Sequence, residues 1–219
     1  VAGIHGDING DTMPNWQLFK RGTTPPATTV RGKAGSEALE LALLRGVQQG
    51  QHRDFEALYR LYHPRLQRFV LHLTRHADLV DEVLDDTMLV VWQRATSFDG
   101  SSKVSTWVFG IAYRKALKAL SRLDLPQEDP EEDQQADPAP GPELRLGQSQ
   151  QLRHLLAALG ELSADHRAVI ELCYFHDMSH AEIAQVVACP PETVKTRMFY
   201  ARRRLRTLLA ELWDEPAVE

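Results

Sequence analysis

SHAEIAQVVACPPETVKTRMFYARRRLRTLL, from Ser179 to Leu209, decides how the rest of the chain reads. Ser179 followed three residues later by Glu182 is the start signal of a capped helix. Ile183, Ala184 and Val187 give that helix a short apolar face. Ala188-Cys189-Pro190-Pro191 ends it, because proline cannot continue a helix but suits the first turn of a new one. From Glu192 the apolar residues Val194, Met198, Ala201, Leu205 and Leu208 recur at helical spacing. The other face carries Thr193, Lys195, Thr196, Arg197, Tyr200, Arg202, Arg203, Arg204 and Arg206. A short helix, a tight break and a longer basic helix form the pattern of a helix-turn-helix DNA reader. The competing reading is a helical hairpin with a solvated basic face. It fits less well, since a solvated face mixes signs and Glu192 alone opposes Lys195, Arg197, Arg202, Arg203, Arg204 and Arg206.

The whole chain is otherwise acidic. Its 219 residues carry a formal charge of −5, so the protein does not coat nucleic acid by bulk charge, and its basic residues must act locally. Helical periodicity dominates and strand signals are sparse, which predicts an all-α fold. Two cysteines, Cys173 and Cys189, make no disulfide framework and suit a reducing, cytoplasmic compartment. No apolar run reaches membrane-spanning length, so no stable membrane insertion is expected, and no secretory signal opens the chain. Met13 could be a translation start.

Residues 1–35 are rich in Gly, Pro, Thr and Asn and read as a disordered tail. Ser36 is a candidate cap for a helix to about Gln48, with Leu39, Leu43 and Leu44 inward and Gly50 as the break. Asp54 to Thr74 reads as one long helix bent near His63-Pro64, with Phe55, Leu58, Tyr62, Leu66, Phe69, Val70 and Leu73 buried. A second helix starts near Ala77, with Val80, Val83, Leu84, Thr87, Met88, Val91 and Trp92 in its stripe. Its opposite face holds Asp78, Asp81, Glu82, Asp85 and Asp86. Acids early in a helix complement its dipole, and a face this acidic could equally dock a basic partner; the residues leave both readings open.

Phe98 to Ser102 is a loop leading to a helix that ends near Leu120, with Ser105 as candidate cap. Trp107, Phe109 and Tyr113 stand among Lys103, Arg114, Lys115 and Lys118. Aromatics interleaved with cations suit stacking on unpaired bases, and they equally suit a core. Between Asp124 and Glu143, eight acids and five prolines occur without Lys or Arg, which reads as an acidic, semi-extended linker. Beyond it, Leu152, Leu155, Leu156 and Leu159 open a second helical unit, and Ser163 caps a helix carrying Ala168, Val169, Leu172 and Cys173.

These motifs, in this order, resemble an extracytoplasmic-function (group IV) sigma factor of bacterial RNA polymerase. DFEALYRLYHPRLQRFV resembles the opening of region 2, and ADLVDEVLDDTMLVVWQRATSFDG its polymerase-binding helix. SSKVSTWVFGIAYRKALKAL is similar to the promoter-melting segment, and LAALGELSADHRAVIELCYFHDMSHAEIAQVVACPPETVKTRMFYARRRLRTLL to region 4. The resemblance implies two small helical domains on a flexible acidic linker: a tail at 1–35, region 2 at 36–122, the linker at 123–148, region 4 at 149–213 and a tail at 214–219. It implies that Asp78, Asp81, Glu82, Asp85 and Asp86, supported by Val83 and Met88, dock on the clamp helices of the β′ subunit, with the β flap as a second contact. It implies that Phe98, Ser101, Lys103, Ser105, Trp107 and Arg114 read and open the downstream promoter element. Thr193, Lys195, Thr196, Arg197, Tyr200 and Arg202 to Arg204 would read the upstream element, with Arg197 on base edges and Lys195 and Arg202 to Arg204 on phosphates. Tyr113-Arg114-Lys115 departs from the Arg-Asn pair common in the family. The linker would thread through polymerase as a nucleic-acid mimic or serve as a tether, and an anti-sigma factor is the implied inhibitor.

Two rival readings compete with this one. A stand-alone helix-turn-helix regulator would bind DNA tightly without polymerase, which the net negative charge disfavours. A metal site on Cys173, His176, His180 and Cys189 has loosely suitable spacing, but Cys173 falls on an apolar helix face. No nucleophile–base pair, paired acid/base site or Gly-rich phosphate loop is present, so neither enzymatic activity nor a cofactor is expected.

Overall fold

The computed structural model describes residues 30–123 and 150–214. Most of the expected linker and the greater parts of both expected tails therefore lie outside the described residues. Among the described residues the fold is all helical. Helices α1 (Val30–Gln48), α2 (His52–Thr74), α3 (Asp78–Arg94) and α4 (Val104–Leu123) form the first half, with a single 3₁₀ turn at Ala95–Ser97 after α3. Helices α5 (Gln150–Gly160), α6 (Ala164–Tyr174), α7 (His180–Val186) and α8 (Pro191–Asp214) form the second.

The expected stripes face inward. Leu58, Tyr62, Leu66, Phe69, Val70 and Leu73 of α2 are buried, as are Val80, Val83, Leu84, Met88 and Val91 of α3. Each such side chain contributes about 1.5–3 kcal/mol by leaving water. Helix α2 runs through Pro64, which removes one backbone hydrogen bond and crowds the carbonyl four residues before it. Gly50 and Gly100 both have φ +77°, a left-handed geometry that turns the chain before α2 and before α4.

Some boundaries differ from expectation. Helix α1 begins at Val30, inside the expected tail, so Ser36 is not its cap; the Ser36 hydroxyl instead donates to Glu40 at 3.3 Å. Glu40 is buried because Tyr62 and Arg65 reach it at 2.7 and 3.0 Å, which ties α1 to α2. Burial, with the Glu40 carboxylate next in weight, pushes the Tyr62 phenol well above its ordinary range. Helix α4 starts at Val104 and extends to Leu123, so Ser105 lies within it rather than capping it. Ser163 does cap α6, accepting from the His166 amide at 3.4 Å.

The two halves pack together. Helix α4 lies against α7, and α2 against α6. Gly110 lies at the first approach, where a β-carbon would make ordinary contact with the Val186 α-carbon at 3.8 Å. Polar ties cross the same seam. Arg167 donates to the Leu73 carbonyl at 3.0 Å, Arg75 to the Gly160 carbonyl at 3.0 Å, and His72 Nδ1 lies 2.7 Å from Glu171 Oε1.

Candidate nucleic-acid interface

Ser179 closes a full capping box: its hydroxyl accepts from the Glu182 amide at 3.3 Å and its amide donates to Glu182 at 2.7 Å. A cap of this kind is worth about 1 kcal/mol. Helix α7 ends at Val186, and the turn places Ala188 at φ +52°. The Cys189 amide then donates back to the Ala184 carbonyl at 3.1 Å. Pro190 precedes α8 and its carbonyl accepts from Thr193 and Val194, while Pro191 fills the first helical position. The turn of the reader is thus built from backbone bonds around two prolines.

Helix α8 buries Val194, Met198, Ala201, Leu205 and Leu208, as the spacing predicts. Lys195, Thr196, Phe199, Tyr200, Arg203, Arg204 and Arg206 are exposed, and Thr193 is half-buried. Two arginines turn away from that open face. Arg197 Nη2 lies 2.5 Å from Asp165 Oδ2 of α6. The Arg202 guanidinium lies 5.6 Å over the Tyr174 ring, with its Nε buried. The reason is geometric: Arg197 follows Val194 by three positions and precedes Ala201 by four, so it flanks the buried stripe. Arg202 stands likewise between Met198 and Leu205. In this arrangement Arg197, expected on base edges, is paired with Asp165, and Arg202, expected on phosphates, lies over Tyr174. Sequence reasoning also passed over Phe199, which is 61% exposed and packs edge-on against Tyr200 at 5.4 Å. Its position outside the apolar repeat was the available signal.

The acidic face of α3 is solvent-facing. Asp78, Asp81, Glu82 and Asp85 are exposed and Asp86 is half-buried. Glu82 pairs with Arg122 at 2.9 Å and Asp86 with Lys115 at 2.8 Å. Val83 and Met88, expected to support docking, are 2% and 3% exposed and belong to the core. The apolar side chain that this face presents is Leu89, one turn beyond Asp85 and 52% exposed.

The loop before α4 is internally braced. The Ser101 amide donates to Asp99 at 2.9 Å, and hydrogen bonds from Ser101 hold the Asp99 carboxyl below its ordinary range. Gln48 of α1 donates to the Ala95 carbonyl at 3.0 Å. Phe98 packs edge-on against Trp107 at 5.6 Å, and both are half-buried. Ser101 and Arg114 are exposed, while Ser105 is half-buried. Lys103 reaches Glu37 of α1 at 2.6 Å and Glu182 of α7 at 3.0 Å; these two carboxylates raise its pKa. Phe109 and Tyr113 are core residues here. The Tyr113 hydroxyl donates to Asp165 Oδ1 at 2.9 Å, and burial, then that carboxylate, pushes its pKa up. Among the described residues, no group of three or more His, Cys, Asp or Glu is arranged to hold a metal. Among them, too, no helix is long and apolar enough to cross a membrane.

Known proteins share this arrangement. The Sigma-70 region 2 family matches residues 58–125, and the Sigma-70, region 4 family matches residues 152–205. The chain is 32% identical over 175 residues to the ECF RNA polymerase sigma factor RpoE of Cereibacter sphaeroides, covering 76% of this chain and 92% of that protein. It is 30% identical over 180 residues to SigL of Mycobacterium tuberculosis, also an ECF RNA polymerase sigma factor, covering 82% of this chain and 96% of that one. Among solved structures it is similar to the sigma factor RpoE of Bartonella quintana, crystallised with the anti-sigma factor NepR. The TM-score is 0.56 at 28% identity, over 72% of this chain and 98% of that chain.

Proposed function

We infer the work of each surface from one premise: the chain belongs to the sigma-70 family, in its extracytoplasmic-function class of RNA polymerase sigma factors. It directs promoter-specific initiation as a subunit that binds core polymerase and promoter DNA. The observation that carries the division of labour is spatial: an acidic face with one exposed leucine, a braced aromatic loop and a basic helix-turn-helix occupy separate elements.

Asp78, Asp81, Glu82, Asp85, Asp86 and Leu89 form the docking surface for the β′ clamp helices, opposite charge orienting the encounter and Leu89 supplying apolar contact. The loop from Phe98 to Lys103, with Ser105, Trp107 and Arg114, opens the downstream element; extruding a base costs a few kcal/mol, which stacking and cations offset. The upstream element is met by Thr193, Lys195, Thr196, Phe199 and Tyr200, while Arg203 and Arg204 hold phosphates, which position without specifying. Residues 36–122 and 149–213 are the two working units, the first extended back through α1, and the acidic 123–148 segment joins them. The linker raises the effective concentration of the second unit once the first has docked.

The protein acts in the cytoplasm and catalyses no reaction of its own. Its inhibitor is an anti-sigma factor, the class of partner with which the Bartonella relative was crystallised. Reconstitution with core polymerase, followed by sequencing of the transcript 5′ ends, tests the reading. A defined promoter set is expected; random initiation, or none, would overturn it.

A further inference from the structure

Two aromatic rings stand in water on the recognition helix. Phe199 is 61% exposed and Tyr200 52%, and the rings meet edge-on at 5.4 Å and 76°. A single exposed apolar side chain is ordinary; this pair is set apart by its place. Helix α8 buries Val194, Met198, Ala201 and Leu205. At about 3.6 residues per turn, the line opposite that stripe runs through Glu192, Thr196 and Arg203, with Phe199 on one side of it and Tyr200 on the other. The rings therefore sit in the middle of the face that a helix-turn-helix lays in the major groove, within the early turns that meet base edges.

The usual polar readers are missing or displaced at this point of the helix. Guanine is read by Arg or Lys, adenine by Asn or Gln, and cytosine by a carboxylate. Between Pro191 and Arg206 there is no Asn or Gln. Arg197 is held by Asp165, Lys195 lies towards the edge of the face, where phosphates are met, and Arg203, Arg204 and Arg206 come later in the helix. Glu192 pairs with Lys195 at 2.7 Å and stands about two turns before the rings. The Thr196 hydroxyl donates to the Glu192 carbonyl at 3.0 Å. Thymine alone offers an apolar handle in the major groove, its C5-methyl group, and phenylalanine is a side chain that contacts it.

We propose that Phe199, its ring braced by Tyr200, selects sequence in the upstream element by covering the C5-methyl group of a thymine. The proposal rests on the sigma-factor reading, which makes that element the DNA this helix meets. The driving force is removal of two apolar surfaces from water, the ring and the methyl group. Tyr200 acts through Phe199. Their edge-on contact narrows the directions the Phe199 ring takes, so less rotamer freedom is lost on binding.

The test removes the methyl group and nothing else. On a promoter taken from the mapped transcript starts, deoxyuridine replaces each thymine of the upstream element in turn, on either strand. Binding of the full chain with core polymerase to each duplex is then titrated. Covering one methyl group corresponds to about a fourfold change in affinity. The wild-type holoenzyme should lose about that factor at one or two positions. Phe199→Ala, a surface change that leaves the buried stripe intact, should bind thymine and uracil promoters alike there. Phe199→Leu keeps a smaller apolar cover and should show a reduced difference. Wild-type binding indifferent to uracil at every position overturns the proposal and assigns the pair to a protein contact, and an upstream element with no thymine on either strand overturns it equally. A loss that persists undiminished in either variant overturns it too, since another group then reads the methyl. Absence of specific initiation on unsubstituted DNA sinks the sigma-factor reading and this proposal with it, whereas specific initiation that ignores uracil sinks this proposal alone.

Discussion

His176 has its chemistry strongly altered by its surroundings. Burial against Phe69 and Phe109, with Arg65, Arg68 and His72 adding positive charge, lowers its pKa from 6.5 to about 3. Glu171, paired with His72, is the carboxylate at the same seam. A depressed imidazole favours packing only while neutral. Its contribution is fully present above pH 6.5 and is lost as pH falls from there toward about 3. At pH 5 the loss is about 2 kcal/mol, about 1.36 kcal/mol for each pH unit below the ordinary value of 6.5. Thermal unfolding should therefore weaken between pH 7.5 and pH 5, and His176→Leu should flatten that slope. An unchanged slope in the variant would remove His176 from the account. The residue scale is also where the sequence stops short: Arg197 and Arg202 read from it as cations of an open face. Their offsets from Val194, Ala201, Met198 and Leu205 already put them beside the stripe, but the partners that hold them, Asp165 and the Tyr174 ring, come from another helix.

At the scale of elements, the helix-turn-helix was legible down to its capping box and proline break, because both are local chemistry. Its one strained point is Ala188, at φ +52° without being glycine. Left-handed geometry costs an alanine roughly 1–2 kcal/mol, and glycine removes that cost. Ala188→Gly should stabilise the fold by about 1 kcal/mol in chemical denaturation, and a loss of stability would show that the methyl group packs usefully. Helix α3 was legible as an amphipathic helix but not as a docking face, since acids near a helix start have a sufficient local explanation. Its exposure makes the docking idea separable from folding. Asp81→Lys, Glu82→Lys and Asp85→Lys together should weaken competition for core polymerase at least tenfold, while stability changes by under about 1 kcal/mol, because surface charges contribute little to folding. Leu89→Ala should weaken the same competition without the salt dependence of the charge reversals. Normal competition by both would reduce the face to solvated surface. Helix α1 was placed too late, because Ser36 is a good cap residue and nothing local reveals that the helix begins at Val30.

On the scale of the whole molecule, two independent units on a tether were expected, and the seam between them had no signature in the sequence. His72 and Glu171 are 99 positions apart, and Phe109 and Tyr113 had a sufficient explanation within their own helix. Contacts between halves carry no periodicity, so pattern reading stops at the halves. The seam does fix a quantity that can be measured. In the closed chain the cations of α8 open to DNA are Lys195, Arg203, Arg204 and Arg206, while Arg197 and Arg202 are occupied. Each phosphate neutralised contributes about 0.9 to the slope of log affinity against log salt. Lys195 also pairs with Glu192 at 2.7 Å, but both are exposed, and such a pair yields readily to phosphate. The wild-type chain, titrated onto an upstream-element duplex without polymerase, should then show a slope of about −3 to −4 and weak affinity, given its net charge of −5. Arg203→Ala should reduce the slope by about one. Asp165→Asn, by releasing Arg197, should increase it by about one. A wild-type slope near −5 to −6 would mean that Arg197 and Arg202 leave their partners for DNA without any help from polymerase. Nanomolar, sequence-specific binding by the free chain would favour a stand-alone regulator over a polymerase-dependent reader.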